Sequence, residues 1–217
     1  MKKLLFLIIA GTILMFCSSA WAGISGSVHD FTSTGGPVKI SGETQICVFC
    51  HTPHNAGAAT DAPLWNHAVT TASFTTYSST TLNATMGQPA GISKLCLSCH
   101  DGTVAIDAYG TQTGVPTLMT NDRGALVGTD LSNDHPISFL YDTALASADG
   151  GLFNPTDTGH TTALGGTISA DLLFGTSSDQ LECASCHDVH NGGPTGAGHL
   201  LRIDNTGSAL CMTCHDK

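Results

Sequence analysis

The sequence predicts a chain of mostly irregular structure, with short helices and few short strands, organised around covalently held groups in place of a conventional core. Three observations predict it. The pattern Cys-x-x-Cys-His occurs four times, at Cys47–His51, Cys96–His100, Cys183–His187 and Cys211–His215. Gly, Ser, Thr, Asn and Asp fill the segments between the copies. Large aromatic side chains are scarce, with two Trp and three Tyr against 25 Gly, too few to build a core of ordinary density.

C-x-x-C-H is the attachment signature of c-type haem. The spacing puts Cys47 and Cys50, Cys96 and Cys99, Cys183 and Cys186, and Cys211 and Cys214 on one side of a short helical turn, where each pair adds to the two vinyl groups of a porphyrin. The adjacent His51, His100, His187 and His215 then reach the iron as proximal ligands. Zinc is the plain alternative, since two C-x-x-C pairs can build a four-thiolate site. It leaves the four motif histidines unexplained. Four porphyrins offer large apolar faces that stack in place of a core, and the haem-free chain is expected to be unfolded or molten. The predicted fold class is therefore a multihaem cytochrome c with four covalently bound haems.

Taken from its start, the chain opens with a positive Met1-Lys2-Lys3, an apolar run from Leu4 to Phe16 and an Ala20-Trp21-Ala22 cleavage pattern. Residues 1–22 read as a signal peptide, removed to leave a tetrahaem domain over 23–217. Cys17 suggests a lipid anchor, but bulky Phe16 precedes it where a small residue is expected. Removing Cys17 leaves eight of the nine cysteines, all consumed by the four motifs, so no thiol remains for a disulfide. No later stretch is long and apolar enough to span a membrane. Lys2 and Lys3 leave with the leader, so five of the seven basic residues face 17 acidic ones, which disfavours nucleic acid or anionic lipid as partner. Each motif is expected on a short helix. Thr70–Thr81 is a candidate strand and Asp142–Ala148 a candidate helical turn, while Asp101–Ile137 and Gly150–Ser178 read as loops.

The motifs fall into two classes. The first and third read Cys-His-x-x-His-Asn, at Cys50–Asn55 and Cys186–Asn191; the second and fourth read Ser-x-Leu-Cys-x-x-Cys-His-Asp, at Ser93–Asp101 and Ser208–Asp216. The chain thus looks like a duplicated two-haem unit, about 23–110 and 180–217, with a loop-rich insertion between. Eleven histidines less four proximal ones leave His29, His54, His67, His135, His160, His190 and His199, enough to fill every distal position. Bis-His ligation leaves no open site, which points to electron transfer rather than catalysis. His29, His54, His135 and His190 are the leading distal candidates, followed by His67, His199 and His160. His54 and His190 follow a proximal His by a single turn, so neither binds its own motif's iron, and each should reach a neighbouring one. If His190 serves an iron of the first unit, the same geometry sends His54 to a unit of another molecule. That contact is head to tail and propagates into a filament unless it closes.

The runs Cys47–Asn55, Leu64-Trp65-Asn66, Ser93–Thr103 and Asp134–Phe139 resemble secreted multihaem cytochromes of metal-reducing bacteria. The tetrahaem count is most similar to the outer-surface cytochrome E type, and Cys-His-Thr-x-His also resembles the hexahaem S type. The resemblance implies extracellular cytochrome nanowires of stacked bis-His haems, with His54 donated across the subunit joint. The expected function is then extracellular electron transfer at the cell surface or beyond it, with the chain itself, redox partner cytochromes or extracellular acceptors as partners. A soluble periplasmic shuttle is the first rival and a multihaem reductase the second; a purely structural haem in an adhesive fibre is a third.

Overall fold

The computed structural model describes residues 23–36, 38–57, 59, 61–110, 116–120, 125–190 and 200–216. The leader 1–22 with Cys17, and the candidate ligand His199 with Asn191, lie outside the described residues. Regular structure is sparse and short. A 3-10 turn at Ile46–Phe49 is followed by α1 (Gly91–His100), β1 (Phe139–Leu140), α2 (Thr143–Asp149), α3 (Ile168–Leu172), β2 (Gln180–Leu181) and α4 (Cys183–Cys186). A second 3-10 turn, Thr206–Ser208, leads into α5 (Ala209–Cys214). β1 and β2 pair antiparallel, with Phe139 opposite Leu181 and Leu140 opposite Gln180. Among the described residues no helix is long and apolar enough to cross a membrane.

Local chemistry accounts for these elements. α2 begins where the Asp142 carboxylate accepts the Leu145 N–H and ends at Gly150, whose φ of 68° turns its N–H back to Ala146. It covers the candidate turn at Asp142–Ala148, shifted by its cap. α3 falls inside the segment read as loop. Thr167 caps it, and Ile168 and Leu172, one turn apart, are both buried. A five-residue helix is shorter than the window in which a period can be recognised. The candidate strand Thr70–Thr81 makes only one isolated bridge, Thr75 to Asp130. At its centre the Gln88 side chain takes a strand partner's place, accepting the Phe74 N–H at 2.7 Å and donating to the Phe74 carbonyl at 2.8 Å.

The apolar side chains form three small clusters rather than none. Phe31, Phe49, Ile106 and Tyr109 pack behind the first motif. Phe74, Leu97 and Leu131 pack behind α1. The largest gathers Phe139, Tyr141, Ala146, Ile168, Leu172, Leu173, Leu181, Ile203 and Leu210 around the third and fourth motifs. Composition understated this core because its members are distant in sequence and meet only through the β1–β2 pair.

The first and third motifs fold alike. His51 bridges Trp65 as His187 bridges Leu201. The Thr52 N–H donates to Leu64 as Asp188 does to Leu200, and Asn66 donates to Cys50 as Arg202 does to Cys186. Each residue of the second set stands at the offset that separates Cys47 from Cys183. Even the strained leucines correspond, with φ of 61° at Leu64 and 57° at Leu200.

Candidate functional site

Each motif closes one helical turn and then straightens. The motif histidine's N–H donates to the carbonyl of the first cysteine, at 2.8 Å for His51 to Cys47, 3.1 Å for His187 to Cys183 and 3.0 Å for His215 to Cys211. The backbone then leaves in an extended conformation at His187 and His215. The turn sets two thiols and one imidazole on one face. Hydrogen bonds orient the imidazoles: Nδ1 of His51 lies 2.8 Å from the Pro63 carbonyl oxygen, and Nδ1 of His100 lies 2.7 Å from that of Ala125. With Nδ1–H donating, Nε2 keeps its lone pair for a metal.

Three motif histidines each face a histidine from elsewhere in the chain. Ring centroids are 6.1 Å apart for His100 and His29, 6.1 Å for His51 and His190, and 6.3 Å for His215 and His135. A metal–imidazole bond is about 2 Å and a ring nitrogen lies roughly 1.1 Å from its centroid, so two imidazoles trans on one iron hold their centroids about 6.2 Å apart. The interplanar angles of 54°, 26° and 78° differ freely, as rotation about a shared ligand axis permits. Direct ring packing in this protein is closer, 3.7 Å between Phe153 and His160.

The second nitrogens of these partners fit the same role. Nδ1 of His135 lies 2.8 Å from the Pro136 carbonyl oxygen. Nδ1 of His29 is buried with no hydrogen-bond partner, leaving it for the iron or for a polar edge of the porphyrin. Burial, then the neighbouring His100, His187 and His190, push the His29 imidazole down to about 4 and keep it neutral. The other spare histidines are otherwise engaged or outward. His67 is buried with Nδ1 2.7 Å from the Ala68 carbonyl oxygen and Nε2 3.0 Å from that of Ala105. His160 stacks on Phe153, and its Nε2 lies 2.9 Å from the Thr213 carbonyl oxygen. His54 is exposed.

The cysteines follow one another through space in chain order. Cys99 lies within electrostatic reach of Cys50, Cys96 within hydrogen-bonding distance of Cys183, and Cys186 within electrostatic reach of Cys214. Burial pushes the Cys50 thiol up to about 11 and the Cys99 and Cys214 thiols up to about 12. Such surroundings suit thioethers against an apolar ring better than the thiolates zinc requires. Among the described residues no three His, Cys, Asp or Glu side chains converge as a metal ion would need. The residues therefore fit c-type haem.

One feature of the site has no motif to announce it. Glu182, directly ahead of Cys183, is buried and bonded to Ser93 and Ser138. Its only signal in the sequence is a carboxylate where the first motif has Ile46.

Residues 177–217 match a family model described as a doubled CXXCH motif. The match spans the third and fourth motifs. No curated protein matches the chain. The motifs indicate covalently bound c-type haem, and their pairing indicates a multihaem electron carrier.

Proposed function

We propose that this chain is a secreted tetrahaem cytochrome in which each iron has two histidine ligands, and that copies join head to tail into an extracellular conductive filament. Bound haem supplies one-electron iron chemistry. The chain's residues do the rest. Eight cysteines fix the porphyrins, His51, His100, His187 and His215 bind from the motif side, and the Pro63 and Ala125 carbonyls hold two of those rings in the ligating tautomer. His29, His135 and His190 close the opposite side of three centres, which supports a carrier over a reductase because those three keep no open coordination position.

The observation that carries the filament reading is His190 set against His51. It joins the second unit to the first motif. His54 stands in the first unit where His190 stands in the second, and its exposed side chain points to the corresponding centre of another copy, the one built on His187. Redox partner cytochromes or extracellular acceptors would receive the electrons. Electron microscopy of the native haem-containing protein tests the reading. Filaments are expected from the parent and single particles from His54→Ala with its other centres spectrally unchanged. Long filaments in the variant would refute the His54 joint, and single particles from the parent would make the protein a periplasmic shuttle.

A further inference from the structure

The two halves of the chain meet at one polar clasp. Glu182, 4% exposed, lies between α1 and α4. A single carboxylate oxygen, Oε2, accepts the Ser93 N–H at 3.1 Å and the Ser138 hydroxyl at 2.9 Å. The Ser93 hydroxyl accepts the Cys183 N–H at 2.9 Å, and Ser93 is fully buried. The Glu182 N–H donates to the Ser185 hydroxyl at 2.9 Å, fixing the first turn of α4. The Ser138 N–H donates to the Leu181 carbonyl at 2.7 Å, which ties the clasp to the β1–β2 pair. Beside it the Cys96 and Cys183 side chains come within hydrogen-bonding distance. Gly91 is shaped around the clasp. Its φ is +48°, and a Cβ there would fall 2.6 Å from Glu182 Oε1.

Duplication does not explain the arrangement. Ser93 has a counterpart in Ser208, which is exposed, but the counterpart of Glu182 is Ile46. A buried carboxylate costs folding energy unless its bonds are needed, and the groups facing this one are the Ser93, Ser138 and Ser185 hydroxyls, the two thiols and, at longer range, Asp61.

We infer that Glu182 and Ser93 are positioning residues for the electron step between the two halves of the chain. They hold the second and third attachment helices in one register, so that the sulfurs of Cys96 and Cys183 touch and the two centres have a fixed edge-to-edge approach. The inference rests on the multihaem carrier reading and is independent of filament assembly. Because one oxygen accepts both bonds, a glutamine at this position supplies the same acceptor without the charge.

The test uses the haem-loaded protein and its Glu182→Gln, Glu182→Ala and Ser93→Ala variants. Haem content by pyridine haemochrome and low-spin absorption establish that each variant is loaded and ligated. A parent that carries no haem would fail the carrier reading itself. The readouts are the circular-dichroism couplet of the Soret band, which reports how neighbouring porphyrins are oriented, and electron equilibration across the chain after flash reduction. Glu182→Ala is expected to lose part of the couplet and slow equilibration, while Glu182→Gln retains both. Loss of stability alone would lower the melting temperature of a variant without altering either readout below it. Where Glu182→Ala yields no loaded protein, Ser93→Ala carries the test, because it removes only the hydroxyl that receives Cys183. An unchanged couplet and rate in the loaded alanine variants, or equal changes in Glu182→Gln and Glu182→Ala, overturns the inference.

Discussion

Replacing His190 by alanine should open one iron and leave the others closed. The side chain is 51% exposed and pairs with Asp188 only at 3.9 Å, so its removal should change folding stability by no more than about 0.5 kcal/mol. Its consequence is local. The His190 and His51 centroids, 6.1 Å apart, match the spacing of two ligands on one metal, and His51 is oriented by Pro63 whether or not His190 is present. The centre built on Cys47 and Cys50 therefore keeps its motif ligand and loses its other one. About a quarter of the low-spin haem signal should become high-spin, and the reduced variant should bind about one carbon monoxide per chain where the parent binds none. Absorption spectroscopy and gas titration of the loaded protein measure both. A His190→Ala protein that stays wholly low-spin and binds no carbon monoxide would refute the pairing of His190 with His51.

Three further outcomes follow from the geometry. Gly91→Ala should cost about 2 kcal/mol or more in denaturant unfolding, since it places an alanine in left-handed backbone and drives a Cβ against Glu182; a cost near zero would mean that α1 starts elsewhere. Tyr141→Phe should cost about 1–2 kcal/mol, because the buried hydroxyl donates to the Phe153 carbonyl at 2.7 Å and lies 3.3 Å from that of Cys214; equal melting of the two proteins would contradict the bond. The His29 imidazole is lowered from 6.5 to about 4 by burial. The unfolded chain therefore takes up a proton that the folded chain resists, so this contribution is fully present above pH 6.5 and declines as pH falls toward 4. The decline should reach about 3 kcal/mol at most. Unfolding at pH 7 and pH 4.5 should show it in the parent and lose it in His29→Gln; identical pH dependence in the two would count against a buried neutral His29.

The four attachment motifs and their chemistry were legible in the sequence because they are local. Five consecutive residues close a turn, and the turn alone puts two sulfurs and an imidazole on one face. The helix at Thr143–Asp149 was legible for the same reason, since Asp142 and Gly150 are caps that act over one turn. The repeat was visible as a pattern of residues. Tertiary structure decided what depends on distant segments meeting. Which spare histidine faces which motif could not be read from spacing: His29 faces a residue in α1, His135 one that follows α5, and His67 spends both nitrogens on backbone carbonyls. The clasp at Glu182 was equally silent, because a lone glutamate beside a cysteine looks like any surface charge until Ser93 and Ser138 close over it. Covalent attachment is determined by neighbours along the chain, whereas ligation and burial depend on loop closure over tens of residues, whose outcome is set by packing that no local pattern encodes.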